Sequence, residues 1–152
     1  MTKRTFSIFI LFTIAGLLGA VSAAAQTGPY QFFAVAPCRV VDTRNPVSTN
    51  GGPIFSTGTQ RNFAIRGNCG VPTTAKAVSL NVTVTSATAA SFLTLWPAGS
   101  ARPVVSTINF SQTDPALANG AIVGLSTSAS DLSVFNSDGN VHVILDVTGY
   151  FQ

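Results

Sequence analysis

The chain has 152 residues, a formal net charge of +3 and only 9% charged residues, against about 25% in ordinary soluble domains. There is no basic stripe for a nucleic acid and no polybasic helix for a membrane surface. Glutamate is absent, and the five acids are scattered aspartates beside a single histidine. Because acid–base and nucleophilic catalysis need paired groups, we predict a protein that is not an enzyme and uses no cofactor or metal.

Residues 1–25 are typical of a secretory signal peptide. Lys3 and Arg4 precede an uncharged, largely apolar run from Phe6 to Ala20, which small residues follow. The run is too short to span a bilayer comfortably. We predict cleavage between Ala23 and Gln26, leaving an exported product of single-domain size with no membrane contact.

An apolar N-terminal strand segment is predicted at residues 26–37. It carries Tyr30, Phe32, Phe33 and Val35, and Ala36-Pro37 ends the run. An apolar strand at a chain end has to be covered. It either pairs with its own sheet or adds to the sheet of a neighbouring copy, and head-to-tail addition generates a filament.

Cys38 and Cys69 are the only thiols of the chain. Export places them in an oxidising compartment, where an even pair of cysteines usually bonds. We predict a disulfide that closes a loop of about 30 residues and contributes roughly 3–4 kcal/mol.

The densest polar cluster is the segment from Arg39 to Arg44. Strand alternation places Asp42 and Arg44 on one face, and Arg39 on the other with Val41. An Asp–Arg pair across neighbouring strands can clamp a sheet through two parallel hydrogen bonds. We predict a structural ion-pair cluster of Arg39, Asp42, Arg44 and Asp146, with a ligand site as the alternative.

Strand patterns fill the chain after the leader, and residues 38–152 predict an all-β sandwich of jelly-roll or immunoglobulin-like type with about nine strands. Ala77–Thr85 shows the clearest alternation. The last strand is apolar on both faces, which predicts a central position in a sheet. The predicted strands are Tyr30–Val35, Arg39–Thr43, Gln60–Ile65, Ala77–Thr85, Phe92–Trp96, Val104–Phe110, Ala121–Leu125, Leu132–Phe135 and Val141–Tyr150.

Two connections stand out in this pattern. Asn45–Thr59 is the longest irregular stretch, and loops of this length are often functional. Asp138-Gly139, between the last two predicted strands, is typical of a tight hairpin.

A few further residues are candidate sites. Trp96 before Pro97 is a candidate glycan contact, although a lone tryptophan is more often buried. Asn81 and Asn109 lie in glycosylation sequons. His142 and Asp146 lie about 13 Å apart along one strand, which is too far for a catalytic pair.

Several short motifs occur in a fixed order along nearly the whole exported chain. This order resembles a recurring bacterial secreted β-domain, and it is also similar to subunits of extracellular bacterial fibrils assembled by strand complementation. The resemblance implies a bacterial surface or extracellular protein with a structural or adhesive role. The motifs are Pro37–Arg44 (PCRVVDTR), Cys69–Pro72 (CGVP), Leu80–Thr83 (LNVT), Trp96-Pro97, Ile108–Phe110 (INF), Ala118–Gly120 (ANG) and Asp146–Phe151 (DVTGYF).

We therefore predict a secreted structural subunit of an extracellular filament or surface assembly. It would form a homopolymer by inserting Tyr30–Val35 into the next copy. The alternative is a monomeric carbohydrate-binding or adhesion module that uses Trp96 and the Asn45–Thr59 loop.

Overall fold

The computed structural model describes residues 28–152, so the predicted signal peptide lies outside the described residues. Within this range the secondary structure consists of β-strands and irregular segments. There are eight strands: β1 (Phe32–Asp42), β2 (Gln60–Phe63), β3 (Ala77–Thr85), β4 (Ser91–Pro97), β5 (Ile108–Phe110), β6 (Ala116–Gly124), β7 (Leu132–Asn136) and β8 (His142–Phe151). No helix in the described range is long and apolar enough to cross a membrane.

The strands form two antiparallel sheets of four, with orders β1-β8-β3-β6 and β2-β7-β4-β5. Four strand pairs are nested along the chain: β1 with β8, β2 with β7, β3 with β6, and β4 with β5. Pairing of β3 with β8 and of β4 with β7 completes the two sheets. The chain therefore runs as one long hairpin folded back on itself. The predicted central position of the last strand is confirmed, since β8 lies between β1 and β3.

One hydrophobic cluster draws on both sheets. Val78, Leu80, Val82 and Val84 of β3 are each at most 2% exposed, while the residues between them are only half-buried. This confirms the alternation predicted for Ala77–Thr85, because one face of the strand is covered by apolar side chains and the other is wet. The same cluster contains Leu93 and Leu95 of β4, Leu132 and Val134 of β7, and Phe63 of β2.

The two strands predicted at Tyr30–Val35 and Arg39–Thr43 are one strand, β1. Both halves pair with β8, and the register shifts between Ala34 and Cys38. Proline removes a ladder hydrogen bond, but an edge strand with a bulge tolerates that loss. Ala36-Pro37 therefore interrupts the ladder without ending the strand, and eight strands are found where about nine were predicted.

The hairpin predicted at Asp138-Gly139 is wrong, although the tight turn is present. Gly139 has a φ of 62°, as such a turn requires. The strands on either side, β7 and β8, belong to different sheets. Buried Asn136 donates to the carbonyl oxygens of Asp138 at 3.1 Å and Gly139 at 2.9 Å. Local turn chemistry fixes the reversal of the chain but not which strands pair.

The disulfide between Cys38 and Cys69 is present, with an S–S distance of 2.02 Å. It joins the middle of β1 to the segment that precedes β3. Covalent closure here means that the chain after Cys38 is fixed to the body of the protein at the point where β1 changes register.

Candidate functional site

We call Phe32–Pro37, the N-terminal half of β1, the arm. It lies at the edge of the first sheet and pairs with the last residues of β8. Just before it, Gln31 and Gln152 each donate their N–H to the other's carbonyl oxygen, at 2.9 and 3.1 Å. The register partners are Phe32 with Phe151, Phe33 with Tyr150, and Ala34 with Gly149.

Gly149 provides the niche in which the arm sits. A Cβ atom added at Gly149 would overlap the ring of Phe32 and come within 2.8 Å of the Phe33 carbonyl oxygen. Phe32 also lies 5.1 Å from Phe151 between ring centroids, and Phe33 stacks on Tyr150 at 5.2 Å. Such aromatic cross-strand contacts each contribute a few tenths to about 1 kcal/mol. The arm is therefore held by aromatic contacts in one register.

The arm remains accessible although it is paired. Phe32 is 52% exposed and Phe33 39% exposed, and no residue from Phe32 to Pro37 carries a charge. Its outer backbone edge faces no other strand of residues 28–152. Edge strands usually carry charges or other devices against pairing with another chain. This edge has only the bulge and Pro37 as such devices.

A covalent anchor begins where the arm ends. Cys38 is bonded to Cys69, and the register shift between Ala34 and Cys38 separates the arm from the rest of β1. Detachment of the arm would break its ladder, its ring contacts and the packing of half-buried Val35 against the core, but no disulfide and no ion pair. The arm is thus a separable part of β1.

The predicted ion-pair cluster is present on the other side of this anchor. The Arg44 guanidinium contacts both carboxylate oxygens of Asp42, at 2.8 and 2.6 Å. Arg39 Nε lies 2.8 Å from Asp146 Oδ1, and Arg39 Nη1 lies 3.5 Å from Asp42 Oδ2. The predicted placement of Arg39 on the opposite face from Asp42 is wrong. A second register shift, between Arg39 and Val41, resets the alternation and brings the two side chains together.

Asp42 is the buried centre of this cluster, with 5% of its surface exposed. The hydrogen bond from the Arg44 side chain lowers the pKa of Asp42 to about 2, assisted by the backbone N–H of Arg44. The carboxylate is therefore ionised at neutral pH and accepts from both arginines. The geometry suits a clamp on the second half of β1, Arg39–Asp42, which we call the base.

Trp96 is not an exposed platform. Only 3% of its surface is exposed, and its Nε1 donates to the carbonyl oxygen of Ser100 at 3.0 Å. The segment after β4 folds back along the strand, since Ser100 binds the indole and Thr94 on the same strand donates to the Val105 carbonyl oxygen at 2.6 Å. Sugar stacking needs an open ring face, which this indole does not offer.

The Asn45–Thr59 loop contains no strand, as predicted, but it is tied down by Arg61 of β2. The Arg61 guanidinium donates to the carbonyl oxygens of Pro53, Gly51 and Gly52 at 2.7, 2.8 and 3.0 Å. Its Cζ also lies 4.9 Å from the ring centroid of Phe63. Desolvation lowers the pKa of this arginine. Arg61 thus fixes the conformation of the Asn45–Thr59 loop, for which the sequence predicts only irregular structure.

The remaining sequence-predicted residues are dispersed. Asn81 is half-buried on β3 and donates to Thr83 Oγ1 at 3.2 Å, whereas Asn109 is exposed on β5. His142 Nδ1 lies 3.1 Å from Thr43 Oγ1, while Asp146 on the same strand binds Arg39. In residues 28–152, no group of three or more His, Cys, Asp or Glu side chains is placed to hold a metal ion.

Sequence reasoning missed a second ionic clamp. Buried Asp131 accepts from the backbone N–H groups of Ile65 at 2.7 Å and Arg66 at 2.8 Å, and from Arg66 Nη1 at 2.8 Å. Arg66 and Asp131 are 65 residues apart in sequence, so no local pattern predicts that they pair. The role of Gly149 was also missed, although a glycine inside a strand is a known signal of close approach.

No protein-family model matches the chain, and comparison with the curated proteins finds no significant relative. The resemblance to fibril subunits therefore stays a prediction from the motifs.

Proposed function

We propose that the protein is a secreted structural subunit of an extracellular filament or surface assembly, in which the arm of one copy pairs with β8 of the next. The observation that carries this proposal is the arm itself. It is uncharged, aromatic and accessible, and it is separated by a bulge from the disulfide that anchors the rest of the chain.

We infer a β-sandwich of jelly-roll type, rather than an immunoglobulin-like one, as the scaffold. The supporting observation is the nested pairing of the first strand with the last, the second with the seventh, the third with the sixth and the fourth with the fifth. When a long hairpin of four nested strand pairs folds into two sheets, the result is a double-sheet jelly roll. In this scaffold β1 and β8 are neighbours, so an N-terminal segment naturally meets the C-terminal strand.

Exchange of the arm between copies conserves its contacts. The Gly149 niche and the rings of Phe151 and Tyr150 are the same groove whether the arm comes from the same chain or from a neighbour. The balance between the two states then depends on protein concentration and on strain in the segment between Ala34 and Cys38. When each copy donates forwards and accepts from behind, the contact is heterologous and does not close. A filament follows.

Cross-linking tests the exchange directly. Gln31 and Gln152 form a hydrogen-bonded pair, so their Cα atoms lie about 5.5 Å apart, within disulfide range. We would mix two chains of different mass, one carrying Gln31→Cys and the other Gln152→Cys, refold them together and oxidise them. Exchange predicts a disulfide-linked species containing both masses, which increases with protein concentration.

A matched control replaces Gln152→Cys with Thr49→Cys, another exposed position, and is expected to give no such link above background.

The chain lacking residues 26–36 is expected to fold as a monomer, slightly destabilised, and to form no filaments by electron microscopy. Filaments of unchanged length from that deletion would refute the role of the arm. So would a double Gln31→Cys, Gln152→Cys chain that links only within itself at every concentration.

The alternative role in carbohydrate binding receives no support from Trp96, because that ring is covered. A glycan site on this protein would have to use a different surface.

A further inference from the structure

A cleft of about 420 Å³ opens on the side of β4 where Trp96 is covered. Phe92 and Thr94 of β4 line one wall, and segment 102–106 with Asn109 of β5 lines the rest. The volume is within the range of small-ligand sites, roughly 300–1,000 Å³. The cleft is remote from the arm in the chain and belongs to the other sheet.

Arg102 is the distinctive group of this cleft. Its Cζ lies 3.7 Å from the ring centroid of Phe135, so a cation–π contact holds the guanidinium in place. No group in the range 28–152 accepts a hydrogen bond from Arg102, and no carboxylate there forms an ion pair with it. In contrast, Arg39, Arg44 and Arg66 bind carboxylates and Arg61 binds four carbonyl oxygens. Arg102 is thus an oriented cation whose donors are free.

Guanidinium presents a planar fork of N–H donors that matches a carboxylate in a two-bonded geometry. The same cleft offers Phe92, a half-buried ring that lies 6.4 Å from Phe135 between centroids. An aromatic face of this kind packs against the apolar C–H face of a sugar ring. A ligand that fills both features carries a carboxylate on an otherwise neutral, partly apolar ring.

Two polar side chains complete the cleft. Asn109 Nδ2 donates to Ser106 Oγ at 3.1 Å. This leaves the Asn109 amide oxygen as an acceptor and the Ser106 hydroxyl as a donor. Both are suited to sugar hydroxyl groups, each of which can donate and accept a hydrogen bond.

We propose that this cleft binds a uronic acid residue of an acidic polysaccharide, with the sugar carboxylate on Arg102 and the ring on Phe92. Ser106 and Asn109 bind the hydroxyl groups. The site is independent of the arm and of filament formation. A subunit that polymerises and also binds acidic glycan would attach the assembly to an extracellular polysaccharide matrix.

The test uses the exported protein at a concentration where it is monomeric, so that failure of the filament proposal does not affect it. Calorimetric titration would use oligomers of galacturonate, glucuronate and mannuronate, and galacturonate oligomers whose carboxyl groups have been reduced. We expect saturable binding of at least one uronate, and at least tenfold weaker binding of the reduced oligomer.

Arg102→Ala is expected to weaken uronate binding at least tenfold, and Arg102→Lys nearly as much, because lysine lacks the planar fork. Phe92→Ala is expected to weaken it severalfold. The matched control is Lys76→Ala, since Lys76 is exposed and lies outside the cleft. Arg102 is exposed and its contact with Phe135 is a single cation–π contact, so its variants should stay folded, with a melting temperature lowered by at most a few degrees.

Three results would overturn the proposal: no binding of any uronate oligomer, equal binding of the reduced oligomer, or equal weakening by Lys76→Ala. Stronger binding of an oligo-aspartate peptide than of every uronate would assign the cleft to acidic peptides instead.

Discussion

The two halves of β1 are attached to the protein in different ways. The arm carries no charge, exposes Phe32 and Phe33, and is held by ring contacts over Gly149. The base, Arg39–Asp42, buries Val41 completely and is clamped by Asp42 and two arginines. One continuous strand thus contains a fixed half and a separable half, with the disulfide at their junction. Strand continuity alone does not mean uniform stability.

The largest effect is expected from removing the anchor at this junction. In the double variant Cys38→Ser, Cys69→Ser, the unfolded chain gains freedom because two positions 31 residues apart in sequence are no longer linked. We expect the free energy of unfolding to fall by about 3–4 kcal/mol. Denaturant titration of the variant measures this difference.

Wild-type protein treated with a reductant is the control, and its loss of stability should equal that of the variant. A loss below about 1 kcal/mol in both would show that the bridge does not constrain the unfolded chain.

The clamp on the base is expected to weaken in acid. The pKa of Asp42 is lowered to about 2 from 3.8, so the unfolded chain takes up its proton first as the pH falls. The stabilisation is complete above about pH 5 and is lost between about pH 4 and pH 2. Because Arg44 is half exposed, we expect a contribution on the order of 1–2 kcal/mol.

Unfolding free energies of the wild type and of Asp42→Asn, measured from pH 7 to pH 2, check this prediction. The gap between the two proteins should be widest near neutral pH and should close in acid. Asp138→Asn is the control, because Asp138 is exposed and has no arginine partner in the described chain. A gap that stays constant across the range would contradict the role of the Asp42 charge.

The smallest change in stability is expected at the arm. Gly149→Ala adds a Cβ that overlaps Phe32, and the arm should detach at a cost of about 1 kcal/mol. Hydrogen exchange of the Phe33 amide, which points towards β8, should accelerate, while that of the Val41 amide should stay unchanged. Filament formation by the Gly149→Ala variant should be reduced, because the arm of a neighbouring copy would use the same niche.

Gly120→Ala supplies the matched control, since a Cβ at Gly120 meets nothing within 4 Å. It should leave the hydrogen exchange rates of the arm amides and filament formation at wild-type values. Equal hydrogen exchange rates in the two variants would mean that the arm does not depend on the Gly149 niche.

The sequence by itself determined the features that rest on local pattern. Alternation fixed β3 at Ala77–Thr85, the two cysteines fixed the disulfide, and the density of Asp and Arg near residue 42 predicted the ion-pair cluster. Each of these signals lies within a few residues or depends on a residue type that occurs only twice.

Tertiary structure decided the rest, because the deciding contacts join residues far apart in the chain. Because both segments around Pro37 pair with β8, the two strands predicted there form one strand. Because β7 and β8 belong to different sheets, the predicted hairpin is a connection from one sheet to the other. Segment 98–107 folded back along β4 beside Trp96 and left Arg102 free above Phe135. No local pattern encodes which distant segment will cover a given side chain, so these outcomes follow only from the packed fold.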